Sequence, residues 1–156
     1  MSTLFSKRVN VEEVEEGKKL QPKFDDNGLI PVITINSLDN EVLMHGYMNL
    51  EAFELTIKTE FVHYWSRSRK CIWQKGKISG LTQKVIELRI DDDQDCLLAK
   101  VEVAGNGASC HVGYKSCFYR KICFKDTKKN KLKFIERKKI FDPKIVYKNV
   151  ENPTKL

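Results

Sequence analysis

The sequence predicts an α+β fold: a compact, mostly antiparallel β-sheet domain with one or two short helices. Apolar and β-branched segments follow one another, separated by turn residues, without the strand-helix-strand spacing that builds parallel sheets. Only residues 49–58 combine a capping residue with helical spacing of apolar side chains. A chain of 156 residues with 41% hydrophobic content has the size of one domain that buries a core without disulfide staples.

Residues 1–23 read as an N-terminal extension. Its mixed-charge stretch Val11-Glu12-Glu13-Val14-Glu15-Glu16-Gly17-Lys18-Lys19 is polar enough for a short surface helix or a frayed end, and no chemistry is expected there. The domain proper is expected over 24–147, with 148–156 as a tail. Leu29-Ile30-Pro31-Val32-Ile33-Thr34-Ile35 is apolar and β-branched, Asn36 to Asn40 supply turn residues, and Glu41 to Tyr47 resume an extended pattern, which makes a hairpin. Asn49 is an N-cap candidate, and Leu50, Phe53 and Ile57 are expected to share one face of the helix that follows. Phe61 to Trp65 return to strand composition. In Gln83 to Ile90, Ile86, Leu88 and Ile90 alternate with Glu87 and Arg89, so Asp91 continues the polar side of a strand and Asp92 the apolar side. Leu97 to Val103 form the next strand, ended by Gly105-Asn106-Gly107.

The charge narrows the partners. The net +7 belongs to Arg120 to Lys139, where ten Lys and Arg face only Asp126 and Glu136, a surplus of eight that leaves the rest of the chain near neutral at minus one. The centre of that run, Lys125 to Lys131, reads as a solvated turn, and no nucleic-acid motif accompanies it, so no nucleic-acid partner is expected. No apolar run approaches the roughly 18 residues that span a bilayer, and the N-terminus lacks the apolar stretch of a secretory signal. A cytoplasmic protein without a membrane partner is expected, its five cysteines reduced and available as ligands.

Two groups of residues carry metal chemistry. Asp91, Asp93 and Asp95 stand at alternate positions, and on an extended backbone their carboxylates converge on one patch, where like charges repel unless a cation sits among them. Oxygen donors suit Mg²⁺, Mn²⁺ or Ca²⁺. A calcium loop is disfavoured because Cys96 stands where that loop needs glycine and the flanks read as strands rather than helices. Cys110, His111 and Cys117 supply the softer ligands that zinc takes, although the six-residue gap between the thiols differs from the short-gap knuckles of structural zinc modules.

A third group suits a phosphorylated nucleoside. Tyr64-Trp65-Ser66-Arg67-Ser68-Arg69-Lys70 and Trp73-Gln74-Lys75-Gly76-Lys77-Ile78-Ser79-Gly80 set cations and hydroxyls among aromatics. Arg offers a fork to phosphate, Lys a point charge, and Trp a face for a heterocycle.

Taken together, these residues resemble the phosphoribosyl-AMP cyclohydrolase family of histidine biosynthesis. The resemblance runs from about Phe24 to Tyr147 and rests on Gly28-Leu29-Ile30-Pro31-Val32, Tyr47-Met48-Asn49, Tyr64-Trp65-Ser66-Arg67-Ser68, Trp73-Gln74-Lys75-Gly76, Asp91-x-Asp93-x-Asp95, Cys110-His111-x-Gly113, Ser116-Cys117-Phe118-Tyr119-Arg120 and Phe141-Asp142-Pro143. It implies a homodimer with sites between subunits, Mg²⁺ at Asp91, Asp93 and Asp95, and Zn²⁺ held by three cysteines, one contributed across the interface. The implied reaction is hydrolysis of the N1–C6 bond of 1-(5-phosphoribosyl)-AMP, with zinc activating water and His111 moving a proton. Arg67, Arg69 and Lys75 are the phosphate contacts expected from residue type, with Trp73 beside them for the base.

The chain also departs from the family pattern. Asp92 stands where the family has its first zinc cysteine, Lys77 replaces an acid, Ile78 a threonine and Leu81 a histidine. Either Asp92 binds zinc through oxygen or Cys96 substitutes, although four residues along a strand displace Cys96 by roughly 13 Å. Two functions stay open: the cyclohydrolase itself, or a diverged paralogue that acts on another purine nucleotide or binds one without catalysis.

Overall fold

The computed structural model describes residues 4–124, 131–152 and 154; all of the basic turn except Lys131 lies outside them. In chain order the elements are α1 (Val11–Glu16), β1 (Ile30–Asn36), β2 (Val42–Met48), α2 (Leu50–Thr59), β3 (His63–Ser66), β4 (Cys71–Gln74), β5 (Gln83–Ile90), β6 (Leu97–Val103), β7 (Arg120–Cys123), β8 (Lys131–Phe134) and α3 (Pro143–Val146). The class is α+β. The main sheet has the order β2-β1-β6-β5, and β3-β4 and β7-β8 form two hairpins beside it.

Every strand pair is antiparallel except β1 with β6, which run parallel in the middle of the main sheet. Ile30, Val32 and Thr34 of β1 and Leu97, Ala99 and Val101 of β6 turn the same face inward, each at 1% exposure or less. Met44, Met48, Phe53, Val62 and Tyr64 pack on that face and complete the core. Buried apolar area of this kind contributes roughly 25 cal/mol per Å².

Two local expectations are corrected. The register of β5 against β6 shifts between Val85 and Glu87, so a bulge interrupts the alternation. Val85, Leu88 and Ile90 pack against the core, while Ile86 is 52% exposed. In α2 the Asn49 side chain accepts from the Ala52 N–H at 2.9 Å as expected, but the buried face is Ala52, Phe53 and Thr56; Leu50 and Ile57 face outward. The Thr56 hydroxyl explains the rotation, since it donates to the Ala52 carbonyl and accepts from the His63 N–H, tying helix to strand.

The N-terminal segment packs on the body of the protein. Buried Gln94 accepts from the Gln21 N–H at 2.6 Å and donates to the carbonyls of Val14 and Lys19 at 2.9 and 3.2 Å. Phe5 lies 4.8 Å, centroid to centroid, from Phe53. No helix among the described residues is long and apolar enough to cross a membrane.

Candidate functional site

The three aspartates meet by a different route from the one the alternation suggested. Residues 91–96 form a turn between β5 and β6 rather than a continued strand: Gln94 takes φ +60°, its N–H donates to the Asp91 carbonyl, and the Asp91 carboxylate accepts from the N–H groups of Asp95 and Cys96 at 2.9 and 2.8 Å. The turn nonetheless gathers carboxylate oxygens of Asp91, Asp93 and Asp95 within 4.8 Å of one another. Hard oxygen donors at that spacing fit a magnesium-type ion. Lys23, from the N-terminal segment, reaches into the same cluster, 3.4 Å from Asp95 and 3.7 Å from Asp93.

A separate cleft of about 950 Å³ holds most of the remaining candidates: Arg69, Trp73, Lys75, His111 and Cys117 line it. Several local devices place them. Lys75 donates its backbone N–H to the Val62 carbonyl, and Gly76 (φ +86°) lets the chain pass Leu81 so closely that a Cβ would sit 2.2 Å from the Leu81 carbonyl carbon. Residues 110–113 form a tight turn, with the Gly113 N–H on the Cys110 carbonyl at 3.0 Å. The Glu136 carboxylate receives the N–H groups of Lys115 and Ser116, and the Cys117 N–H donates to the Leu43 carbonyl of β2 at 2.7 Å.

The two thiols are near enough to influence each other's ionisation. The hydrogen bond from Cys117 pulls the Cys110 thiol down to about 6, helped by the N–H groups of Val112 and Tyr114 and the Lys75 ammonium, against the opposing effect of burial. Cys117 is pushed far up because it is the donor in that bond and its own ionisation would add a second charge beside the first. Buried Lys75 is shifted down by desolvation, offset by the negative charge the cysteines carry. His111 is also lowered, by burial and then by Lys75, while a hydrogen bond to Asn152 works the other way. Its imidazole is therefore mostly neutral at neutral pH, the form that accepts a proton.

Arg67 does not line this cleft; its guanidinium lies over the Tyr47 ring, 4.1 Å from the centroid. Asp92 is also absent from the lining, and instead borders a shallow hollow with Asp91 and α1 that shares no residue with the cleft. Cys96 stays near the aspartates, its thiol pushed up by burial and by the charges of Asp91 and Asp95. Within one chain, Cys110 and Cys117 thus offer two thiols to a zinc ion, and neither Asp92 nor Cys96 lines the cleft on which Cys117 opens.

The description of the phosphoribosyl-AMP cyclohydrolase family matches residues 44–119, which span β2 to the end of the Cys110–Cys117 loop. The phosphoribosyl-AMP cyclohydrolase of Brucella canis is 54% identical over 109 residues, 70% of this chain and 78% of the relative. That of Rhodopseudomonas palustris is 48% identical over 137 residues, 88% of this chain and 92% of the relative. The chain belongs to this family. It is thereby placed among enzymes that hydrolyse a cyclic amidine in histidine biosynthesis.

The cleft also contains residues that sequence reasoning passed over. His45 and His63 line it, as do Lys144, Tyr147, Lys148 and Asn152 from the C-terminal segment. The histidines sit in strands of ordinary composition, and nothing in their spacing marks them. The C-terminal wall had one signal: Asp142-Pro143 is an N-cap followed by proline at the first helical position, and the Asp142 side chain does accept from the Lys144 N–H at 2.9 Å.

Proposed function

We propose that this chain is a metal-dependent phosphoribosyl-AMP cyclohydrolase that hydrolyses the N1–C6 bond of 1-(5-phosphoribosyl)-AMP. The observation that carries the reading is the convergence of Cys117, His111, Lys75 and Trp73 on one cleft large enough for a nucleotide, with the buried Cys110 thiol next to Cys117. Trp73 presents an aromatic face to the purine, and Arg69, 5.8 Å from its ring centroid, and Lys75 attract phosphate. Neutral His111 takes a proton from the attacking water as its oxygen bonds to C6, and returns one to N1 as the C6–N1 bond breaks. Hydrogen bonding to Asn152 orients the ring for both transfers.

Zn²⁺ at Cys110 and Cys117 would supply a Lewis acid that lowers the pKa of water to ~7. Mg²⁺ at Asp91, Asp93 and Asp95 would offset carboxylate repulsion and the charge of the substrate. The third zinc donor is assigned to Asp92 of a second subunit, which makes the working form a cytoplasmic homodimer. Exposed Ile33, Val42 and Ile86 on the main sheet provide apolar surface for such an association. The test is to load the protein with both metals, add phosphoribosyl-AMP and follow ring opening spectroscopically. Turnover is expected. Tight nucleotide binding without turnover would establish the second reading, a non-catalytic nucleotide-binding paralogue, which the placement of Asp92 outside the cleft favours.

A further inference from the structure

The middle of the acidic turn is held by a part of the chain that lies outside the family match, which begins at residue 44. Gln94 stands between Asp93 and Asp95 with φ +60°, a conformation that side chains bearing a Cβ rarely adopt. It is buried at 4% exposure, while Asp91, Asp93 and Asp95 are exposed or half-buried. Its amide is engaged at both ends by the N-terminal segment: Oε1 accepts from the Gln21 N–H, and Nε2 donates to the carbonyls of Val14 and Lys19. Its backbone carbonyl accepts from the Lys23 N–H at 2.7 Å. Val14 lies in the last turn of α1, where helix carbonyls lack partners within the helix, so Gln94 satisfies the end of that helix while the segment holds the turn.

The segment is fixed at its other side as well. The Ser6 N–H donates to the Leu20 carbonyl at 2.8 Å, the Arg8 guanidinium donates to the Gln21 carbonyl at 2.7 Å, and Phe5 packs on Phe53 of the core. Residues 14–23 are therefore tied to the body of the protein before they reach Gln94. Three carboxylates within 4.8 Å of one another repel, and the repulsion favours forms of the turn in which they part. Bonds from a separate, anchored segment oppose that.

We propose that Gln94 is a positioning residue for the divalent-ion site: clamped by residues 14–23, it keeps the 91–96 turn in the form that gathers Asp91, Asp93 and Asp95, so that the N-terminal segment sets the affinity for the ion. This rests on the reading that an ion sits at those aspartates. A turn ordered beforehand loses less freedom when the ion binds, which is the source of the gain. Coupling of this kind is reciprocal, and the ion must in turn hold the segment more firmly.

The experiment uses full-length wild type and Gln94→Gly, with thermal melts to show that both are folded. Glycine adopts φ +60° freely, so the variant removes the side-chain bonds without straining the turn. In calorimetry with Mg²⁺ alone, Gln94→Gly is expected to bind at least about fivefold more weakly than wild type, the low end of coupling between sites. Mg²⁺ is expected to slow hydrogen exchange at the Gln21 and Lys23 N–H groups of wild type and to lose that effect in the variant. A glutamine that served stability alone would lower the melting temperature of the variant but would not make those two groups respond to Mg²⁺ in wild type. Equal affinity in the two proteins, or exchange in wild type indifferent to bound Mg²⁺, overturns the clamp and leaves the ion at the aspartates. The exchange measurement on wild type decides if the variant does not fold. Failure of wild type to bind Mg²⁺ removes the ion from the aspartates and overturns the clamp with it.

Discussion

The ammonium of Lys23 lies 3.4 Å from a carboxylate oxygen of Asp95, inside the cluster that the β5–β6 turn assembles. A lysine there does part of what a divalent ion would do, reducing the repulsion among Asp91, Asp93 and Asp95. The ion pair is more than 40% exposed on both sides, so it is worth at most about 1 kcal/mol and should give way to a metal.

Lys23→Met is therefore expected to tighten Mg²⁺ binding several-fold at low salt, because a competing cation is gone, while Asp93→Asn weakens it. Isothermal titration of both variants beside wild type makes the comparison. An isotherm unchanged by Asp93→Asn would show that the aspartates are a solvated turn.

Beneath the cleft, Tyr64 links the sheet to the cysteine loop. Its fully buried hydroxyl donates to Gln83 Oε1 and accepts from Thr34, both at 2.7 Å, and Gln83 Nε2 passes the chain on to Ser109 at 3.1 Å. Tyr64→Phe leaves buried partners on both sides unsatisfied and is expected to cost about 1–3 kcal/mol. Urea unfolding measures the loss, and a change under 0.5 kcal/mol, the size of an ordinary surface substitution, would show that water replaces the hydroxyl.

What the sequence revealed divides along the range of the interactions. The β1–β2 hairpin and the Asn49 cap are set by neighbouring residues and were legible. The bulge at Ile86 was not, because an inserted residue reverses the facing of every residue after it without altering composition. Nor was the parallel pairing of β1 with β6, which joins residues more than sixty positions apart. At the site, Trp73, Lys75, His111 and Cys117 were found from motifs, whereas Lys144 and Lys148 have no pattern of their own and enter the cleft through the anchoring of Phe141 beside Gly113.

The thiol pair predicts a pH dependence. Cys110 falls from an ordinary value of 9.0 to about 6 on folding, so its thiolate favours the folded state. That contribution is complete above pH 9, shrinks as pH falls, and is gone below about 6, because both states are then protonated. The stability difference between metal-free wild type and Cys110→Ser should accordingly rise between pH 6 and 9. A flat difference would mean that Cys117 does not stabilise the Cys110 thiolate. Cys117→Ser, which keeps a hydrogen-bond donor, should preserve most of the slope.

The last prediction concerns Asp92. It lies apart from Cys110 and Cys117 within one chain, and Cys96 is kept protonated by burial and by Asp91 and Asp95, which makes it a poor zinc ligand. In the proposed homodimer Asp92 completes the shell from the second subunit, and a carboxylate there should hold zinc less firmly than a thiolate. Asp92→Cys is expected to raise zinc retention after dialysis, to raise cyclohydrolase activity, and to make sedimentation as a dimer more zinc-dependent than in wild type. Cys96→Ser should leave retention unchanged. Loss of zinc in Cys96→Ser alone would move the third ligand to Cys96, and absence of zinc from all three proteins would remove zinc from the proposed chemistry. A monomer at micromolar concentration with both metals present would remove the shared site, since Asp92 would then have no thiols to meet.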